Sequence, residues 1–144
     1  VTLLRLRDRR GSAGFAAANL VYGCYDLRLT PSAERWGDRN LVLSTPILHW
    51  FVDHFLQGKT TDDPDISPLR ADLRELPPAL LTVGTLDPLL DDSLFLHARW
   101  RAAGNDSELA VYPGGIHTFN VLPLALGRAA NARIDRFLAA HVSA

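Results

Sequence analysis

Apolar and polar positions alternate along this chain with two different periods, and the two periods predict strands that alternate with helices. Short apolar runs typical of buried strands occupy residues 17–25, 79–83 and 109–112. Longer segments with apolar positions three and four residues apart predict helices over residues 46–57, about 91–103 and 125–142. This alternation predicts an α/β fold with a mostly parallel sheet and flanking helices.

Capping residues mark where the helices should begin and end. Ser44 precedes Thr45 and Pro46, and a hydroxyl N-cap with proline in the first turn favours a helix start. The next helix should end at Gly104. Its predicted cap is one of three polar residues, namely Asp91, Asp92 or Ser93. The polar stretch 27–40 predicts no regular element.

The first ten residues have the pattern of a helix end. Leucines give way to a run of charged residues, and Gly11 follows them. Basic residues in a last turn followed by glycine are a C-terminal helix signal. Because no N-cap precedes this segment, we expect the sequence to begin within a helix.

Composition bounds the class of protein. The 144 residues suit one domain, and 47% apolar with 22% charged residues is typical of a globular chain. A net charge of −1 with mixed signs argues against binding to nucleic acid or to an anionic membrane surface. No apolar run reaches the roughly 18 residues of a membrane span, and no signal peptide is apparent, so we expect a cytoplasmic protein.

An acid and an imidazole follow two of the predicted strands. Asp87 lies in the segment 84–89, and His117 follows Gly114 and Gly115. Because adjacent parallel strands are about 5 Å apart, loops at the same sheet edge could bring the two groups into hydrogen-bond reach. A carboxylate that orients an imidazole base is the arrangement used in acyl transfer by a hydroxyl. Alone, Asp87 could be a turn residue before Pro88 and His117 a solvated loop residue, but their joint placement favours chemistry.

The remaining candidate residues have simpler interpretations. Cys24 falls in the first predicted strand, where a thiol behaves as a small hydrophobe. His49 and His54 are five residues apart on a helix, so they point about 140° apart and make a poor metal pair. The acidic segment 62–65 lacks the spaced ligands of a cation loop. The aromatic residues of the helix 46–57 are interpreted as core more readily than as a ligand pocket.

Four segments together resemble the C-terminal part of the hormone-sensitive-lipase-like esterases, which are α/β-hydrolases acting on carboxylic esters. The segments are Ile66-Ser67-Pro68-Leu69, Leu76-Pro77-Pro78-Ala79, Gly84-Thr85-Leu86-Asp87-Pro88-Leu89 with Asp91-Asp92, and Gly114-Gly115-Ile116-His117-Thr118-Phe119. The resemblance implies that Asp87 is the triad acid, His117 the triad base, and a small-molecule ester the substrate. It implies no cofactor and no metal. Residues 1–144 are then a single, partial α/β-hydrolase domain.

The chain departs from that family where the nucleophile should be. The family's Gly-Asp-Ser-Ala-Gly nucleophile motif and His-Gly-Gly-Gly oxyanion motif are both absent from the sequence. Ser12 lies in Arg10-Gly11-Ser12-Ala13-Gly14, but it lacks the glycine two residues earlier and any preceding strand. Ser44, Ser67 and Ser93 have capping or turn explanations. We therefore expect this chain alone to have little or no esterase activity.

Two other functions remain open at this stage. The chain could be a non-catalytic interaction domain of the same fold. It could also be a half-enzyme that a second polypeptide completes with the missing N-terminal half. In the isolated chain the strand over residues 17–25 would form an apolar sheet edge, which favours self-association.

Overall fold

A computed structural model describes residues 1–11 and 14–142, and it contains a parallel sheet with helices on both faces. The elements in chain order are α1 (Thr2–Arg10), β1 (Ala18–Val21), α2 (Pro31–Arg35), α3 (Thr45–Leu56), β2 (Ala79–Leu86), α4 (Leu90–Ala102), β3 (Ser107–Ile116) and α5 (Ala125–Val142). Two single 3-10 turns occupy Pro68–Arg70 and Phe119–Val121. The predicted α/β class is confirmed.

In the part of the chain that the structure describes, the sheet has three parallel strands in the order β1-β2-β3. Ala79 of β2 pairs with Ala18 of β1 on one side and with Ser107 of β3 on the other. The central position of β2 explains why its first six residues are all buried, since both of its faces are covered. Within the described residues β1 pairs with β2 alone, so it forms a sheet edge as predicted. Self-association through that edge stays a prediction.

Neighbouring residues of β2 face two different helical layers, because side chains alternate along a strand. Leu81 packs with Leu4 of α1 and with Leu96 and Trp100 of α4. Leu80 packs on the opposite face with a separate cluster that includes Ile134 and Phe137 of α5. Both leucines are fully buried, so the sheet is the middle of three layers.

The strand boundaries differ from the predicted ones in a way that matters for the site. β1 ends at Val21, because Tyr22 adopts a left-handed backbone with φ of 35°. Cys24 therefore lies in a loop and not in the predicted strand. β2 and β3 run further than predicted, to Leu86 and Ile116, and take the adjacent glycines into the strands.

A helix that the sequence analysis missed, α2, packs beneath the loop that follows β1. Its N-cap position is Thr30, and Pro31 stands in its first turn, which is a recognised helix-start signal. Ala33 of α2 is fully buried in a small cluster with Leu48 and Leu89. The prediction that residues 27–40 form no regular element was wrong because so short a helix is fixed by tertiary packing and has no periodicity of its own.

Three predicted helix ends can be compared with the structure. Ser44 caps α3 as predicted, since its Oγ accepts a hydrogen bond from the Ile47 N–H at 3.4 Å. Gly11 follows α1 in a left-handed conformation with φ of 71°, as the C-terminal signal indicated. The predicted cap of α4 was wrong. Leu89 occupies the N-cap position without a side-chain bond, and Asp92 lies buried inside the helix, where it binds a distant loop.

Candidate active site

Asp87 and His117 stand directly after the ends of two adjacent parallel strands and touch each other. Asp87 follows β2, and His117 follows β3. His117 Nδ1 lies 2.9 Å from Asp87 Oδ2. The Asp87 side chain is fully buried, whereas the His117 side chain keeps 15% of its surface exposed. The structure thus brings the two sequence-predicted residues into hydrogen-bond contact at the edge of the sheet.

A bulge in β3 determines where His117 emerges. Gly84 pairs with Tyr112, but the next pair is Leu86 with Ile116, so β3 takes four steps where β2 takes two. The Gly114 N–H donates to Thr85 Oγ1 at 2.9 Å and fastens the bulge to β2. Bulges of this kind re-aim side chains at strand ends.

Two glycines let the bulge approach β2 closely. A Cβ atom on Gly84 would overlap the carbonyl group of Gly115. Gly114 adopts a φ of 75°, in the left-handed region that glycine enters without steric cost. Backbone contact with Gly115 therefore requires a glycine at position 84, and the left-handed conformation of the bulge favours one at position 114.

The Asp87 carboxylate is held on both oxygens. Oδ1 accepts a hydrogen bond from the Leu89 N–H at 2.9 Å, and Oδ2 faces His117 Nδ1. An ionised carboxylate can only accept, so it favours the tautomer with the proton on Nδ1. Nε2 is then the unprotonated nitrogen of a neutral ring, and it is the atom suited to take a proton from a hydroxyl.

Tyr22 covers the pair from the β1 side. Its ring centroid lies 4.6 Å from that of His117, with the two planes inclined by 59°. The Tyr22 hydroxyl donates to Asn120 Oδ1 at 2.5 Å. Burial, together with the negative charge of Asp87, raises the pKa of Tyr22 above its ordinary value. The phenol therefore stays neutral and acts as a donor.

His117 opens into an apolar cavity of about 460 Å³. The lining residues are Tyr22, Cys24, Leu27, Leu43, Leu48, Phe51, Val52, Phe55, Ile66, Leu89 and His117. A cavity with apolar walls and one polar group able to act on a substrate is typical of a small-molecule site. The volume falls within the usual range for such sites, about 300–1,000 Å³.

The aromatic face of α3 lines this cavity and is not core, so the core interpretation was wrong. Phe51 and Phe55 are 53% and 65% exposed, and Leu48 is the buried residue of this helix. Trp50 is 55% exposed and stacks on the ring of His54 at 4.1 Å. The periodicity of α3 correctly predicted an amphipathic helix. It could not reveal that α3 packs beside α2, outside the two layers that cover the sheet.

Cys24 also lines the cavity, but it is a poor nucleophile. Burial, reinforced by the charges of Asp92 and Asp26, raises the pKa of the thiol to about 12. A thiol reacts as its thiolate, so this environment suppresses its reactivity near neutral pH. The structure agrees with the prediction of an inert cysteine, although it places Cys24 in a loop.

The described serines that the sequence raised as candidates lie outside the cavity lining. Ser67 is fully buried and accepts a hydrogen bond from the Leu27 N–H at 3.0 Å. Ser93 is buried within α4, and Ser44 caps α3. No serine or threonine lines the cavity in the described part of the chain. Ser12 lies outside the described residues.

The sequence candidates for metal ligands are separated in the structure. His49 faces Glu34 at 3.7 Å, whereas His54 approaches the Trp50 carbonyl oxygen through Nδ1 at 2.7 Å. Asp62 pairs with Arg28 and Arg70 at 3.7 Å. Among residues 1–11 and 14–142, no group of three or more potential ligands is clustered to hold a metal ion.

Two residues beside the site were not identified by sequence reasoning. Tyr22 was interpreted as a strand residue, and Asn120 received no interpretation. The position of Tyr22 one residue past the shortened β1 places it at the same sheet edge as Asp87 and His117. Gly23 is the sequence signal that could have identified Tyr22. A glycine at this position suggests that the strand ends before it, which would place Tyr22 at the end of the strand.

The described helices were also compared with the dimensions of a bilayer. None of them combines the length and the apolar character needed to cross a membrane.

Comparison with known proteins identifies the family. A family model described as the alpha/beta hydrolase fold matches residues 1–121. The chain belongs to the α/β-hydrolase fold family. The acetyl esterase of Salmonella paratyphi B is 31% identical over 119 residues, which cover 81% of this chain and 37% of that enzyme. The acetyl esterase of Salmonella typhi matches with the same identity and coverage.

Solved structures of esterases superimpose on nearly the whole chain. A hormone-sensitive lipase from a metagenome library aligns with a TM-score of 0.88 at 27% identity, covering 97% of this chain and 50% of that one. The esterase of Pyrobaculum calidifontis aligns with a TM-score of 0.87 at 28% identity, covering 99% and 48%. The resemblance to hormone-sensitive-lipase-like esterases is confirmed. The chain spans 37% of the length of the acetyl esterases it matches and about half of these structures.

Proposed function

We propose that this α/β-hydrolase chain supplies the acid and the base of a carboxylic ester hydrolase. The observation that carries the proposal is the hydrogen bond of 2.9 Å between the buried Asp87 carboxylate and His117 Nδ1, at the rim of an apolar cavity. The esterases among its relatives support the reaction class. An ester with a short or medium acyl chain suits the size and the apolar lining of the cavity.

The reaction assigns a separate role to each group. His117 Nε2 takes the proton from a serine hydroxyl as that oxygen attacks the ester carbonyl, and the ring later returns a proton to the leaving alcohol. Asp87 keeps Nδ1 protonated and stabilises the imidazolium that forms. Water then hydrolyses the acyl-serine by the same base catalysis.

The proposal leaves the nucleophile outside the described cavity lining. Tyr22 and Cys24 are the other cavity residues with an ionisable group, and both hold their protons more tightly than usual. We therefore propose that the serine and the oxyanion donors come from sequence other than the described residues. The open edge at β1 is the position where additional strands would join the sheet.

A hybrid enzyme tests the roles of Asp87 and His117. In the hybrid, this chain replaces the matching segment of the Salmonella acetyl esterase. Hydrolysis of p-nitrophenyl acetate by the hybrid is then measured. We expect turnover that His117→Ala abolishes, whereas the control His141→Ala, on α5, leaves it unchanged. A folded hybrid whose ester hydrolysis is indifferent to His117→Ala would contradict the proposal.

The isolated 144-residue chain provides a second test. We expect no p-nitrophenyl acetate hydrolysis beyond that of free imidazole, because none of the described residues that line the cavity is a serine. Turnover by the purified chain that disappears in His117→Ala would mean that the nucleophile lies within these 144 residues. An inactive hybrid that nevertheless folds and associates with other proteins would favour the alternative of an interaction domain.

A further inference from the structure

We propose that Tyr22 is a positioning residue that fixes the orientation of the His117 ring and shields the Asp87–His117 hydrogen bond from water. The proposal rests on the proposed role of His117 as the base. It concerns the residue that directly follows a third strand, β1, which supplies neither the acid nor the base.

Sheet topology is the first argument. Because the order is β1-β2-β3, the end of β2 lies between the ends of the other two strands. Tyr22 follows β1 and His117 follows β3, yet their ring centroids are only 4.6 Å apart. The two side chains therefore meet next to Asp87, which is 1% exposed although it follows the end of a strand.

The Tyr22 hydroxyl provides the second argument, since it is anchored on the segment that carries His117. It donates to Asn120 Oδ1 at 2.5 Å, and Asn120 belongs to the 3-10 turn just after His117. Asn120 Nδ2 in turn donates to Asn131 Oδ1 at 3.1 Å, and Asn131 Nδ2 donates to the Asn120 carbonyl oxygen at 2.9 Å. A continuous chain of hydrogen bonds thus ties the Tyr22 ring to α5.

The backbone is left-handed at Tyr22 and beside His117. Tyr22 has a φ of 35°, and Thr118, the residue after His117, has a φ of 64°. Non-glycine residues with such values are uncommon and persist where surrounding contacts hold them. Both left-handed residues lie where the chain must turn the two rings toward each other, so the ring contact is built into the backbone on each side.

The proposed role differs from that of a residue which merely packs. The ring limits the rotation of the imidazole, and the hydroxyl bond limits the movement of the turn that carries it. Loss of either should let water reach the hydrogen bond between Asp87 and His117. The Nδ1 proton of His117 should then exchange with solvent faster, while the rest of the sheet keeps its protection.

The experiment measures that proton directly by NMR on the 144-residue chain with ¹⁵N-labelled histidine. The signal is assigned by its loss in His117→Ala, and its exchange rate with water is measured. We expect exchange about fivefold faster in Tyr22→Phe, which keeps the ring but loses one hydrogen bond. Tyr22→Ala, which loses ring and hydroxyl, should exceed tenfold.

Matched variants separate positioning from general stability. Asn120→Ala should accelerate exchange at least as much as Tyr22→Phe, because it removes the Tyr22–Asn120 bond and also the Asn120–Asn131 side-chain bond. The double variant should equal Asn120→Ala, since the Tyr22 hydroxyl bond is already lost there. Tyr112→Phe, which removes a hydroxyl from a ring that packs on Phe119 at 5.2 Å, should leave the rate unchanged. Amide exchange within β2 reports global stability and should not change in Tyr22→Phe.

Three results would overturn the proposal. One is a wild-type exchange rate in Tyr22→Phe, the variant that decides the matter if Tyr22→Ala does not fold. Another is an equal acceleration of the β2 amides, which would mean simple destabilisation. The third is the absence of a protected Nδ1 proton in the wild-type chain. None of these readouts requires ester turnover, so failure of the proposed hydrolase function would be recognised separately.

Discussion

Two buried carboxylates five residues apart have opposite surroundings in this fold. Asp87 and Asp92 are 1% and 0% exposed. Asp92 accepts three hydrogen bonds from the loop between β1 and α2, from the Tyr25 N–H at 2.6 Å, the Asp26 N–H at 3.1 Å and the Thr30 hydroxyl at 2.6 Å. Asp87 accepts one backbone bond and faces an imidazole that borders the cavity.

Burial alone therefore does not make a carboxylate reactive. The partners of Asp92 are backbone amides and a hydroxyl, which cannot change charge near neutral pH, so the group can only fasten a loop to α4. The partner of Asp87 can itself gain and lose a proton. What distinguishes the proposed acid is therefore the chemistry of its neighbour and the access of that neighbour to the cavity.

The largest effect is expected from a substitution of Asp87. In the hybrid esterase, Asp87→Asn should lower the rate of ester hydrolysis by about 10⁴-fold, because an amide no longer enforces the productive imidazole tautomer. The free energy of unfolding should change far less, since the shape is retained. Rates with p-nitrophenyl acetate and thermal melts of the same preparations check both statements. A loss of activity matched by a loss of folding would contradict the assignment.

The next largest effect is expected from a substitution of Asp92. Asp92→Ala leaves two backbone amides and a hydroxyl without their acceptor and should lower the free energy of unfolding by about 3 kcal/mol. Denaturant unfolding followed by circular dichroism measures this value. Asp135→Ala, an exposed change on α5, is the matched control and should stay within about 0.5 kcal/mol. An Asp92→Ala chain as stable as this control would show that water replaces the carboxylate.

The cluster around Asp92 should also make stability fall in alkaline solution. Burial raises the pKa of Cys24 to about 12 and raises the pKa of Tyr25, and the charge of Asp92 adds to both. The folded chain therefore retains protons that the unfolded chain releases. Since the unfolded state then binds fewer protons, the free energy of unfolding declines as pH rises from about 9 to 12.

Thermal melts between pH 8 and 11 test this dependence. The melting temperature should fall across that range in the wild-type chain and less steeply in Cys24→Ala, which removes one of the two groups. Identical slopes in both proteins would mean that the thiol is not shielded from water. Slow alkylation of Cys24 by iodoacetamide at pH 8, accelerated on unfolding, is the corresponding chemical measurement.

The smallest effect concerns the residue next to Asp92. The buried Ser93 hydroxyl has no hydrogen-bond partner among the described residues, so its burial is uncompensated. Ser93→Ala should change the free energy of unfolding by less than about 1 kcal/mol, in the stabilising direction. Denaturant titrations of Ser93→Ala and Asp92→Ala compare the free energies of unfolding for substitutions at adjacent positions. Clear destabilisation would reveal an interaction of this hydroxyl.

The parallel sheet and the proximity of Asp87 and His117 could both be predicted from the sequence. Buried parallel strands are continuous apolar runs, and the residues that follow them must meet at one sheet edge, so Asp87 and His117 could be predicted to be neighbours. The resemblance to esterases rested on the same short segments. These features depend on local pattern together with one topological rule.

What the sequence could not reveal depends on long-range contacts. Aspartate is a residue type favoured at helix N-caps, and this suggested a cap at Asp92. That Asp92 accepts hydrogen bonds from Tyr25 and Thr30 instead depends on how the loop packs against α4. The face of α3 has the periodicity of a core helix, yet α3 packs beside α2 and this face lines the cavity. Tyr22 follows a strand that ends early, and its ring contacts His117 across 95 residues of sequence, which no local pattern encodes.

The backbone contact between Gly84 and Gly115 has a consequence for protein design. The distance between the acid and the base is determined by how closely two strands can approach, and a single methyl group at position 84 would prevent that approach. The pair therefore cannot be transplanted to another parallel sheet as two side chains. A working graft would have to carry both glycines, the bulge and its Thr85 contact as one unit.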